Sequence, residues 1–135
     1  MLKEQAGRPE EQNGKHLEQR HCETVREIYQ TLHTSSLEKF TYSWIDSVRE
    51  ELHAIVHRLE SLPDEAFKEM IEVIDGLREA RNELRLAMFL FNVEEIHPVH
   101  RLVMRNRAVL RGREILHKVL RIWPEQLTLE RHKVL

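Results

Sequence analysis

Every apolar run between Val25 and Trp123 repeats with a helical period, and that pattern constrains the fold more than any other feature. Val25, Ile28, Tyr29 and Leu32 stand at i, i+3, i+4 and i+7, which places them on one face of a first helix. Ile45, Val48, Leu52, Ile55, Val56 and Leu59 do the same for a second. Phe67, Met70, Ile71, Ile74, Leu77, Leu84 and Met88 form the stripe of a third, and Leu102, Val109, Leu116 and Leu120 that of a fourth. No stretch shows the two-residue alternation of a half-buried strand. The connections between these helices are short, so sequential helices pack as neighbours and the expected fold is all-α, an antiparallel four-helix bundle.

The punctuation between the stripes sets the expected boundaries. Residues 1–15 hold Gly7, Pro9 and Gly14 among many charges and few apolar groups, too little to offset their ordering entropy, so they read as a flexible polar tail. Residues 16–135 then form a single helical-bundle domain, a usual size for one core. Ser35 with Glu38 makes a capping box and predicts a second helix from near Leu37 to about Glu60. Ser61, Pro63 and Asp64 predict the start of the third, in which Gly76 costs about 1 kcal/mol relative to alanine and suggests a close helix crossing. Asn92 with Glu95, followed by Pro98, predicts the start of the fourth, which runs to Trp123 before Pro124.

Charge and cysteine content exclude some classes of function. The chain carries 23 acidic and 21 basic residues, so no overall field holds it on DNA or an anionic membrane. Cys22 is the single cysteine, which excludes an internal disulfide and a cysteine-based zinc site and reads as a small apolar group. It agrees with a reducing, cytoplasmic location. Leu86–Phe91 is the longest uninterrupted apolar run, far short of the roughly 20 residues that span a bilayer, and no signal peptide opens the sequence.

The most enzyme-like feature is a pair of Glu-x-x-His sequences, Glu50 with His53 and Glu94 with His97, the spacing of di-iron bundle proteins. On the helical wheel, however, Glu50, His53 and His57 lie opposite the Ile45, Leu52, Ile55 and Leu59 stripe, whereas a bundle-core metal needs inward ligands. His97 and His100 make a two-residue clip without a third ligand at a convincing spacing. No phosphate-binding loop, nucleophile elbow or zinc-finger spacing is present. The expectation is a non-catalytic chain with no cofactor and no metal.

Contacts carry more information than catalysis here. Arg81, between Leu77 and Leu84, and Arg113, aligned with Val109, Leu116 and Leu120, stand within apolar stripes. A buried guanidinium needs a carboxylate or several carbonyls, so each is a structural ion pair or belongs to an interface with another subunit. The fourth helix is also apolar on a second side, where Met104, Ala108, Ile115, Val119 and Ile122 form a line that either completes the core or meets a partner. Between the two lines lie Arg101, Arg105, Arg107, Arg111, Lys118 and Arg121, while the second and third helices are acidic. These cations are candidates for phosphate or acidic-protein contacts, or for pairing with the chain's own acids.

The helices resemble the helical A domain of archaeal GINS subunits, which join the MCM ring in the replicative helicase. Glu23-Thr24-Val25-Arg26-Glu27-Ile28-Tyr29 and Ser35-Ser36-Leu37 resemble the opening helix and turn, and Ser43-Trp44-Ile45-Asp46-Ser47-Val48-Arg49-Glu50 the second helix. Arg81-Asn82-Glu83-Leu84-Arg85-Leu86-Ala87 is similar to the arginine-centred third, and Val93–Leu116 to the acidic-start fourth, a span of about residues 20–120. The family's lysine after the central arginine is not evident, and its small β domain is not expected within the residues up to Leu135. The resemblance implies a non-catalytic subunit, homo- or hetero-oligomeric, that bridges components of a DNA-replication or other DNA-associated assembly. Two other functions stay open: a small regulatory, antitoxin-like binding protein whose tail folds on a target, and a metal-dependent enzyme using the Glu-x-x-His pairs.

Overall fold

The computed structural model describes residues 9–34 and 40–124, with side chains from residue 19 onward. Four helices form, α1 Pro9–Thr34, α2 Tyr42–Glu60, α3 Asp64–Phe89 and α4 Pro98–Ile122, and there is no strand among the described residues. Packing follows chain order around a ring: α4 lies on α3 most extensively, α3 on α2, and α1 closes the ring mainly against α4. Short reversals at 61–63 and 90–97 make each helix antiparallel to the next. His21, midway along α1, lies near Arg58, late in α2, and Thr31, near the end of α1, lines a surface hollow with Trp44, early in α2, as an antiparallel α1–α2 pair requires.

One core draws on all four helices. Val25, Leu32, Leu52, Val56, Leu59, Ile74, Leu77, Leu84 and Leu116 are almost fully buried in it. Each large aliphatic group buried there contributes roughly 1.5–3 kcal/mol. Phe67 and Met88 are partly buried against it, but Ile71, expected in the third stripe, is exposed. Cys22 is partly buried against the core, with Arg26 Nη2 at 3.8 Å from its Sγ.

The helix starts differ from expectation for local reasons. α1 begins at Pro9, so residues 9–15 are helical, and proline suits a first helical position. Residues 1–8 lie outside the described residues. α2 begins at Tyr42 instead of near Leu37, because Thr41 is extended and its hydroxyl accepts the Trp44 N–H at 3.1 Å. Ser35 and Glu38 lie outside the described residues. Pro63 takes the cap position of α3, and Asp64 and Glu65 complement the helix dipole behind it. Asn92 and Glu95 do not start α4. Pro98 fixes His97 in an extended conformation, so the helix starts at Pro98, and His97 Nδ1 accepts the Val99 N–H at 3.1 Å.

The α3–α4 contact is close because its residues are small. Along this seam Gly76 of α3 lies against Val119 of α4 and Gly112 of α4 against Ala80 and Leu84, and Ala80, Ala87 and Ala108 are fully buried. A Cβ added at Gly76 would overlap Val119 Cγ2, so the glycine is required by the crossing. At Gly112 a Cβ would sit 3.7 Å from the Ala80 carbonyl oxygen and 3.8 Å from Leu84 Cδ2, ordinary contact distances.

Candidate protein interface

The apolar line expected to meet a partner is divided by the fold. Ala108 and Val119 are buried in the chain's own core, and Ile115 packs partly against it, so these three complete the α3–α4 contact. The reason is the glycine and alanine seam of α3, which lets α4 sink until its second side is covered as well. Met104 and Ile122, at the two ends of the line, remain 41% and 45% exposed. On the other stripe Val109 and Leu116 are buried as expected and Leu120 partly so, but Leu102 is 43% exposed.

The exposure of Leu102 has a geometric cause. Tyr29 of α1 stacks on His117 of α4 with ring centroids 5.3 Å apart. From that point α1 continues for five residues, to Thr34, whereas α4 reaches back nineteen residues, to Pro98. At 1.5 Å per residue, about 20 Å of α4 extends past the end of α1. The side of α4 that carries His117 against Tyr29 continues along this extension as Leu110, Asn106, Val103, Leu102 and Val99, related by steps of three, four and seven residues. Val99 is 58% and Val103 44% exposed, and Leu110 is half-buried. The α1-facing side of α4 thus remains apolar where α1 no longer covers it.

Phe91 anchors this end of the bundle. Tyr42 of α2 meets its ring edge-on at 5.6 Å between centroids, and the Arg105 guanidinium carbon lies 4.0 Å above it. Arg101 Nη1 donates to the Phe91 carbonyl oxygen at 3.3 Å. Burial, and then the neighbouring charge of Arg101, lower the Arg105 pKa from its ordinary value. Arg101 and Arg105 hence hold the start of α4 onto the α3–α4 connection, and Arg111 Nε pairs with Glu83 Oε1 at 3.0 Å. Of the cations expected to reach outward, Arg107, Lys118 and Arg121 are exposed and make no ion pair among the described residues.

The two stripe arginines do not find carboxylates. Arg81 Nη1 donates to His53 Nδ1 at 3.1 Å, and its buried Nε has no hydrogen-bond partner among the described residues. Burial first, then Arg85 and Arg78, lower its pKa from the ordinary value. It stays half-buried at the α2–α3 seam instead of entering the core, which removes the need for a buried counter-ion. Arg113 is half-buried on α4 with no ion pair among the described residues. Glu60, the carboxylate whose charge reaches Arg81, is already paired with Arg78.

Glu50, His53 and His57 are exposed on α2, on the outward side that their wheel positions indicated. Glu94 and His97 lie in the 90–97 connection and at the α4 cap, not on a helix facing Glu50 and His53. The described residues bring no three potential ligands together. No described helix is long and apolar enough to cross a membrane.

Two features of this surface escaped the sequence reading, the overhang of α4 and the part played by Phe91. Leu102 and Val103 carried a signal, being adjacent apolar residues on a helix already apolar elsewhere, but its meaning depended on where α1 ends. Comparison with known proteins gives no match to a family model, a curated protein or a solved structure.

Proposed function

We propose that this chain is a non-catalytic binding subunit whose working surface is the amino-terminal half of α4. The observation that carries this reading is the run Val99, Leu102, Val103 and Met104, all exposed, on a helix whose carboxy-terminal half buries Leu116 and Val119 in the core. Large apolar side chains gathered on one element mark an interaction site more often than singly scattered ones do. The tie of several α4 arginines to Phe91 and Glu83 favours a protein partner over nucleic acid, because those cations are occupied within the fold.

A replication or other DNA-associated assembly is the setting that the resemblance to GINS A domains suggests, and the sequence resemblance alone supports it. Immobilised full-length chain and its Val103→Glu variant, exposed to extract of the native cell, test both levels. Proteins retained by the wild type and lost with Val103→Glu support the surface, and replication proteins among them support the setting. Equal retention by the two chains, with circular dichroism showing both folded, removes the surface from the argument.

A further inference from the structure

Building on this reading of α4, we infer that the occupant of its exposed side is an acidic amphipathic helix of a partner protein, lying along α4 in line with α1 and beyond its end at Thr34. The shape comes first. α1 lies beside His117 through Tyr29, and the same side of α4 continues for about 20 Å, some four turns of helix, with Val99, Leu102, Val103 and Leu110 along it. A helix there buries an apolar stripe spaced at i, i+3, i+4 and i+7.

Charge gives the partner its sign. From Pro98 to Arg113 α4 contains five arginines and no acid. Three are engaged, Arg101 and Arg105 with Phe91 and Arg111 with Glu83. The two without an ion pair among the described residues, Arg107 and Arg113, border the apolar line: Arg107 is four residues from Val103 and three from Leu110, and Arg113 three from Leu110. Cations at its border favour carboxylates flanking the partner's stripe and disfavour a basic helix. They also disfavour a second copy of this chain laid on the same face, which would bring Arg107 and Arg113 against their equivalents.

A displayed library of 18-residue helices tests this. Its apolar positions are fixed at i, i+3, i+4 and i+7, its flanking positions vary among Glu, Gln and Lys, and it is selected on the full-length chain. Expected is enrichment of Glu at the flanks, with binding that weakens as salt rises, no enrichment on Val103→Glu, and roughly tenfold weaker binding of the selected helices to an Arg107→Glu/Arg113→Glu variant. Circular dichroism establishes that the variants, altered at surface positions, keep their helices. Enrichment of Gln or Lys, or of nothing, overturns the acidic partner, while the Val103→Glu retention experiment still decides whether the surface binds protein at all. Sedimentation showing a dimer that Val103→Glu dissolves overturns the inference in favour of a second copy.

Discussion

Alanine at Gly76 and alanine at Gly112 should change stability in opposite directions, although both replace a glycine inside a helix of the same α3–α4 seam. Intrinsic propensity favours alanine by about 1 kcal/mol at each position and cancels in the comparison. At Gly76 the new methyl overlaps Val119 Cγ2. Val119 is β-branched, nearly fully buried and held in one strongly preferred helical rotamer, so relief requires a shift of α4. Overpacking of this kind costs about 1–3 kcal/mol, leaving Gly76→Ala less stable than wild type by about 1 kcal/mol. At Gly112 the methyl meets neighbours at 3.7–3.8 Å, and the propensity gain of about 1 kcal/mol survives. Val119→Ala alone removes two buried methyl groups, a loss of about 2 kcal/mol. Combined with Gly76→Ala it should lose less than the sum of the single losses, a coupling within the roughly 0.5–3 kcal/mol of contacting pairs. Urea unfolding followed by circular dichroism, at unchanged slope, reads all four variants. If Gly76→Ala proves as stable as Gly112→Ala, or the two seam mutations simply add, the close crossing is not what holds α4 against α3.

Two further outcomes follow from burial and charge. Burial, and after it Arg58 and Arg20, lower the His21 pKa, so the folded chain binds fewer protons than the unfolded one just below the ordinary histidine value of about 6.5. The His21 contribution is complete above that pH and is lost as pH falls from it through the lowered folded value; denaturant midpoints from pH 7.5 to 5 should fall less for His21→Gln than for wild type, and parallel curves would refute this. Leu116→Ala should cost about 2–5 kcal/mol, whereas Ile122→Gln, at an exposed position, should stay within about 0.5 kcal/mol; similar losses in thermal unfolding would show that Ile122 is part of the core.

The helical period made the fold readable because each stripe had a single use. Ile45, Val48, Leu52, Ile55, Val56 and Leu59 were placed together by spacing alone, and all six are buried. Gly76 was also informative, since a glycine inside a strong helical pattern is destabilising unless something needs its missing side chain, here Val119. Boundaries were less legible. Ser35 with Glu38 and Asn92 with Glu95 both have the spacing of a capping box, but the starts of α2 and α4 are set by Thr41 and by the constraint that Pro98 puts on His97.

The interface resisted the sequence for a different reason. A wheel assigns residues to a side of α4 but does not say how far along the helix a neighbour covers that side. Met104, Ala108, Ile115, Val119 and Ile122 share a line, yet the small residues of α3 take its middle into the core and leave the ends exposed. The side facing α1 behaves in the same way: His117 meets Tyr29 and Leu120 is partly buried, whereas Leu102, Val103 and Val99 are exposed, because α1 ends at Thr34 while α4 begins at Pro98. The length mismatch between α1 and α4, rather than the composition of either, produces the exposed apolar surface. Lengthening the coverage should therefore remove it: a helical extension that carried α1 past Thr34 would compete with any helix bound beside Val103, without altering a residue of α4.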